Sequence, residues 1–298
     1  MQNAVGSVSP VANPPKRMRK ARVLVGWVSE QEGALWLSGR QQSQINNPTL
    51  LAKARLAREE AEKLSGRVKP WESPITDISA DLKAYETEWR SSAANAETIK
   101  QGWVIKTADL SRICAVQVLV HIEDFGERTK GLSQSDMKSL AVVCVPVPQP
   151  LTLNADINQN ELAFVISCDN PNLRVVGMYA GPVPQSGNPV YGFNVAIINS
   201  CMSVSECAGR FILTDGYHRA YALLKAKITR VPVLFRKVGG YSEIGFPPVP
   251  GILPQEVVLG DHPPLLPDYL NDKVSAPAEI KSTQKIIIVK ATQVDATL

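Results

Sequence analysis

The run Phe211-Ile-Leu-Thr-Asp-Gly-Tyr-His-Arg-Ala-Tyr-Ala222 holds the residue types best suited to chemistry in this 298-residue chain. An apolar stretch stops at Thr214-Asp215-Gly216, and a helical pattern starts at once. His218 and Arg219 fall in the first turn of that helix. A helix N-terminus already offers unbonded N–H groups and partial positive charge. Two basic side chains added there suit a phosphate or another anion. Thr214 or Asp215 can cap the helix with a side-chain oxygen. Gly216 admits an unusual φ or a close ligand. His218 can donate to a phosphate oxygen and can move a proton near neutral pH. Arg219 can hold two phosphate oxygens in its planar fork. Tyr217 and Tyr221 stand four apart and share a face. Ala222, Leu223 and Ala226 are expected to pack the helix on a sheet, and Val231 to Phe235 to return as a strand. The plain alternative is a capped surface helix with soluble charges. Asp, Gly, His and Arg within five positions argue against it.

The rest of the chain must position this segment. Residues 1 to 22 read as a disordered basic tail carrying Lys16, Arg17, Arg19, Lys20 and Arg22. A short cluster of this kind is a phosphate-contacting arm for nucleic acid or, more simply, a solvated tail. Residues 23 to 148 read as a mainly helical N-terminal domain. Ser29 with Glu32 fits a capping box. Asn46 or Asn47 with Pro48 starts a second helix, which ends before Gly66. A third helix is expected over Ile78 to Ile99. All five tryptophans (Trp27, Trp36, Trp71, Trp89 and Trp103) lie here, and they read as core rather than a base-stacking platform. Ile113 to Ile122 reads as a strand or a buried helix. Val145-Pro-Val-Pro-Gln-Pro150 marks a loose boundary.

From Leu151 the chain turns strand-rich. Leu162 to Ser167, Leu173 to Tyr179, Val190 to Ile198, Arg210 to Leu213 and Lys285 to Lys290 are β-like runs between turns. The fold class is therefore α+β, with a helical N-terminal part followed by a strand-rich domain over 149 to 298 that ends in a Pro-rich extension. The composition is that of a globular protein, with 44% hydrophobic residues and a net charge of +4. Five cysteines, no Cys-x-x-Cys and only three histidines favour neither a disulfide framework nor a metal site. The sequence holds no apolar run long enough for a membrane span, and a cytoplasmic location is expected by default.

Leu213-Thr-Asp-Gly-Tyr-His-Arg-Ala-Tyr-Ala, with its helix and Val231-Pro-Val, resembles the signature of the ParB/sulfiredoxin-like superfamily. The likeness covers Val190 to Arg236 well and Leu151 to Phe235 loosely. It implies a phosphate or active site at Thr214, Asp215, Gly216, Tyr217, His218 and Arg219, with Asp215, His218 and Arg219 in any catalytic role. It implies a nucleotide ligand (ATP, ADP or CTP) with Mg. Sulfiredoxins carry a cysteine where this chain has Tyr217, so the redox reaction is not implied. ParB partition proteins continue into a helix-turn-helix domain, whereas this chain continues into its Pro-rich tail.

Three functions follow in order. The first is a nucleotide- or phosphate-binding module acting as a ligand-dependent switch, with a protein partner on the N-terminal helices. The second is a phosphotransferase or phosphate-ester hydrolase; a kinase would need a further acidic base, for which Asp156, Glu161 and Asp169 are available. The third is a DNA-binding or nuclease-like protein using the basic tail. His262, in Asp261-His-Pro-Pro264, is a candidate to line the same pocket, or else part of a rigid polyproline loop.

Overall fold

A computed structural model describes residues 18–68, 72–122, 129–148, 156–158, 163–168, 172–182, 189–198, 200–246, 249–282 and 285–290. Helices and strands are both abundant, and the protein is α+β. The chain divides into two compact units. The larger comprises 18–148 and 200–281; the smaller is built around 149–199 and 282–298, together with 1–17.

The larger unit opens with strand β1 (Met18–Val23), helix α1 (Glu30–Leu37) and helix α2 (Pro48–Glu62). The expected caps are in place. Ser29 Oγ accepts from Glu32 N at 3.1 Å. The Glu32 carboxylate does not reach back to complete the box, because it accepts from Trp36 Nε1 at 3.2 Å. Asn47 Oδ1 accepts from Thr49 N and Leu50 N, with Pro48 in the first turn. The third expected helix is broken. A short strand β2 (Ile75–Thr76) precedes α3 (Lys83–Ser91), which stops at Ser92 in extended backbone, and α4 (Ala96–Lys100) follows. Next come β3 (Val104–Asp109), β4 (Leu119–His121) and α5 (Met137–Cys144). Ile113 to Ile122 is mostly neither regular strand nor helix. It is buried chain whose Cys114 N donates to Phe211 O and whose Ala115 N donates to Pro264 O, and only its end forms β4.

After residue 200 the unit resumes with β9 (Ser203–Cys207), β10 (Arg210–Asp215), α6 (Tyr217–Lys225), β11 (Arg230–Lys237), α7 (Gln255–Val258) and β12 (Ala276–Lys281). In the smaller unit β5 (Asp156–Asn158), β6 (Ala163–Cys168) and β13 (Lys285–Lys290) form one sheet. There β7 (Leu173–Pro182) and β8 (Pro189–Ile197) form a hairpin.

Two sheets organise the larger unit: β12-β1-β4, and β10-β9-β11-β3-β2. In the first, β12 alternates buried Ala276, Ala278 and Ile280 with exposed residues, and it pairs antiparallel with β1 so that Ala21 faces Ala278. This is the period-two pattern of a strand with one face on a core. In the second, β9 and β10 form a hairpin closed by Ala208-Gly209, both at positive φ, which suits the right-handed strand twist. Helix α6 then carries the chain to β11, which lies parallel to β9 and antiparallel to β3. Pro232 sits in β11 opposite Thr107, but pairing with β9 begins only at Leu234, so no ladder bond needs its missing N–H there.

This pairing corrects the expected division at 148–149. Residues on both sides of the insert, from Ala21 to Val145 and from Met202 to Ile280, share one hydrophobic cluster. The N-terminal part is no separate helical domain, since its β1, β3 and β4 complete sheets with later strands. The tail also ends sooner than expected, because Arg19, Lys20 and Arg22 lie in β1. Arg22 bonds to Asp272 at 2.7 Å, Tyr269 O at 2.8 Å and Ser275 Oγ at 2.6 Å. Lys16 and Arg17 lie outside the described residues. Trp27, Trp36 and Trp89 are buried, and Trp103 lies under the Arg236 guanidinium at 4.5 Å. Trp71 is outside the described residues. No helix among the described residues is long and apolar enough to cross a membrane.

Candidate functional site

The segment Thr214 to Arg219 is the turn between β10 and α6. Apolar Phe211, Ile212 and Leu213 bury β10, and a bulge at Thr214 shifts the register between the Leu213–Val204 pair and the last pair with β9, Asp215–Ser203. Gly216 then turns the chain in the left-handed region, with φ +95°. A β-carbon there would stand 2.4 Å from Met202 Cγ. The absent side chain is therefore required by the turn and by Met202, not by a ligand alone.

Seven of the nine α6 residues are buried: Tyr217 and Arg219 to Leu224. Leu223 and Ala222 pack inward as expected, while Ala226 is exposed beyond the helix end. Thr214 does not cap the helix; its hydroxyl donates to Ser203 O at 3.1 Å and lies 2.6 Å from Ser203 Oγ. Tyr217 points into the core. Its hydroxyl donates to Leu213 O and accepts from Val116 N at 3.1 Å. Burial raises its pKa well above the usual phenol value.

Asp215 is exposed. Its Oδ1 accepts from Gly216 N at 2.6 Å, and its Oδ2 accepts from Ser200 Oγ at 2.8 Å. His218 is half-buried, and its Nδ1 accepts from His121 N at 3.1 Å, which places the proton of the neutral ring on Nε2. The His121 and His218 rings lie 5.3 Å apart at a tilt of 48°.

Arg219 is 6% exposed. Its Nη1 donates to Ser200 O at 2.8 Å, Val143 O at 3.1 Å and Cys144 O at 3.4 Å, and its Nη2 donates to Ser200 Oγ at 2.8 Å. All these acceptors are neutral, and no carboxylate pairs with it directly among the described residues. The guanidinium faces the C-terminal carbonyls of α5, the negative end of that helix. Its nearest anion in this network is Asp215, one hydroxyl away through Ser200.

Two features of this turn suit a phosphate. The first turn of α6 has no side-chain cap, and the buried guanidinium behind it bonds no carboxylate directly among the described residues. One feature opposes it: Asp215 already occupies Gly216 N–H with negative charge. The segment brings Asp215, Ser200 and Arg219 into one chain of hydrogen bonds; Tyr217 and Thr214 turn away from it. Ser200 and His121 were not legible as partners, since they lie 19 and 97 positions from the residues they meet.

His262 lines a cleft of about 350 Å³ with Trp27, Arg58, Glu62, Glu256 and Asp261, and none of Thr214 to Arg219 lines it. Its carbonyl accepts from Trp27 Nε1 at 2.6 Å. Asp156 belongs to the smaller unit, with only its backbone described, and Glu161 and Asp169 lie outside the described residues. Comparison with protein-family models, with curated proteins and with solved structures finds no match to this chain.

Proposed function

We propose that this protein is a phosphate- or nucleotide-binding module that works as a ligand-dependent switch, on the β-turn-helix of a ParB/sulfiredoxin-like domain. The observation that carries the reading is Arg219: a guanidinium 6% exposed, bonded to neutral acceptors, behind a helix start with no side-chain cap. Buried charges are normally paired, so this one favours an anion brought from outside. The phosphate oxygens would accept from first-turn N–H groups of α6 and from His218 Nε2, with Arg219 turning toward them. Magnesium would arrive with the nucleotide, held by its phosphates. The larger unit would respond through Ser200, and a protein partner would meet the outer face of α2, where Leu56 is exposed beside Arg55 and Glu59.

Calorimetric titration of ATP, ADP, CTP and GTP with magnesium tests this. Saturable binding, weakened at least tenfold in His218→Ala and in Arg219→Ala, is expected. Unchanged affinity in both folded variants rejects the site.

A second reading, phosphotransfer or phosphate-ester hydrolysis, is favoured by one contact: the Ser200 hydroxyl donates to the exposed Asp215 carboxylate, as a hydroxyl does to a base. Release of inorganic phosphate, or a phosphorylated product, lost in Asp215→Asn would support it.

A further inference from the structure

We propose that Arg219 and Ser200 form a latch across the two points where the chain leaves and rejoins the larger unit, and that an anion at the start of α6 opens it. The opening half rests on the binding reading above; the latch itself does not.

The chain leaves the larger unit after Pro148 and returns at Ser200. Helix α5 ends at Cys144, four positions before the departure. Arg219 grips both sides of this break. On the departing side it bonds Val143 O and Cys144 O; on the returning side it bonds Ser200 O and Ser200 Oγ. One further bond joins the two crossings, from Met202 N to Cys144 O at 2.6 Å. One buried side chain thus supplies four of the hydrogen bonds at the base of a segment running from 149 to 199. A guanidinium suits this task because its planar fork serves several acceptors at once.

The latch is wired to the helix start. Ser200 Oγ accepts from Arg219 and donates to Asp215, and Asp215 accepts from Gly216 N. An incoming phosphate competes with Asp215 for the same N–H group and repels its carboxylate. Asp215 then releases the Ser200 hydroxyl. The phosphate also offers Arg219 charged acceptors, which bind a guanidinium more strongly than the neutral carbonyls it holds. A ligand shifts a two-state equilibrium only through such differential contacts, and the exchange of partners at Arg219 supplies them.

Hydrogen exchange of the full-length protein, followed in peptides covering 143–148 and 200–203, reads the latch. Arg219→Gln is expected to speed exchange at the Met202 amide about tenfold or more with no ligand added, while distant β12 stays protected. Saturating magnesium-ATP, with inorganic phosphate in a parallel arm, is expected to do the same to the unsubstituted protein and to add nothing to Arg219→Gln. If Arg219→Gln does not fold, Arg219→Lys serves, since it keeps the charge and loses the planar fork that joins the two crossings. Unsubstituted exchange rates at both crossings in the folded variant overturn the latch. Calorimetric binding of ATP without faster exchange overturns the opening and leaves the binding reading intact. No ATP or phosphate binding, with faster exchange in Arg219→Gln, overturns the binding reading and the opening but supports the latch.

Discussion

Arg219 holds Ser200 twice, through Nη1 to the carbonyl and Nη2 to the hydroxyl, both at 2.8 Å. That pair ties the first turn of α6 to the point where the chain returns from residues 149–199. It also sets the orientation of Asp215, because the same hydroxyl donates to its carboxylate. The residue that the sequence marks as a phosphate ligand is thus part of the architecture around the candidate site.

Gly216→Ala tests the turn. At φ +95° an L side chain is strained, and its β-carbon would meet Met202 Cγ at 2.4 Å and Met202 Cα at 3.1 Å. Urea unfolding is expected to show a loss of about 1–3 kcal/mol. Adding Met202→Ala relieves the Cγ contact but neither the Cα and Cβ contacts, both at 3.1 Å, nor the φ, so the double variant should recover only part of what the glycine substitution loses. A Gly216→Ala midpoint equal to that of the unsubstituted protein would contradict the geometry.

Arg67→Met probes a second anchor of the same unit. Arg67 Nη1 and Nη2 bond both oxygens of Asp268 at 2.8 and 2.9 Å, and Asp268 also accepts from Leu265 N at 2.7 Å. The Asp268 side chain is 4% exposed. Removing the cation leaves a buried carboxylate, with an expected cost of about 3–5 kcal/mol. Denaturant unfolding with the variant within 1 kcal/mol of the unsubstituted protein, on that scale, would contradict the pairing.

High pH should unfold the protein through its buried tyrosines and thiols. Burial pushes Tyr85 and Tyr241 from 10.0 up to about 12, and Tyr217 and Tyr269 further. It pushes Cys114 and Cys144 from 9.0 up to about 12. These groups bind their protons more tightly in the folded state. Their contribution is fully present below the unfolded values and is lost as pH rises through the folded ones. The urea midpoint should stay level on this account to about pH 9 and fall steadily from there toward pH 12. A level midpoint through pH 11 would contradict it.

Local signals carried the sequence reading where the chemistry is local. Ser29 and Asn47 cap α1 and α2 because a short side-chain oxygen needs only the next three residues. The apolar Phe211 to Leu213, the positive-φ Gly216 and the α6 pattern made β10, the turn and the helix readable. Strand β9 carries no clear strand signal, since Ser203-Val-Ser-Glu-Cys207 is half polar and its turn is Ala-Gly rather than Asn-Gly. The joining of β3 to β11 and of β1 to β12 was not legible, because strand pairing across an inserted unit leaves no periodic mark. The direction of Arg219 was hidden for the same reason. Its acceptors at Val143 and Cys144 lie 76 and 75 positions away. No rule of helix starts distinguishes an arginine that faces a ligand from one that faces another helix's carbonyls.

Whether α6 binds phosphate at its start is decided by calorimetric titration of magnesium-ATP into the protein and into His218→Ala, because His218 is half-buried and its loss leaves the Arg219 network in place. Saturable binding to the unsubstituted protein and at least tenfold weaker binding to the variant are expected. Equal affinity in the two proteins, or no heat of binding for ATP, ADP, CTP or GTP, would contradict a phosphate site there.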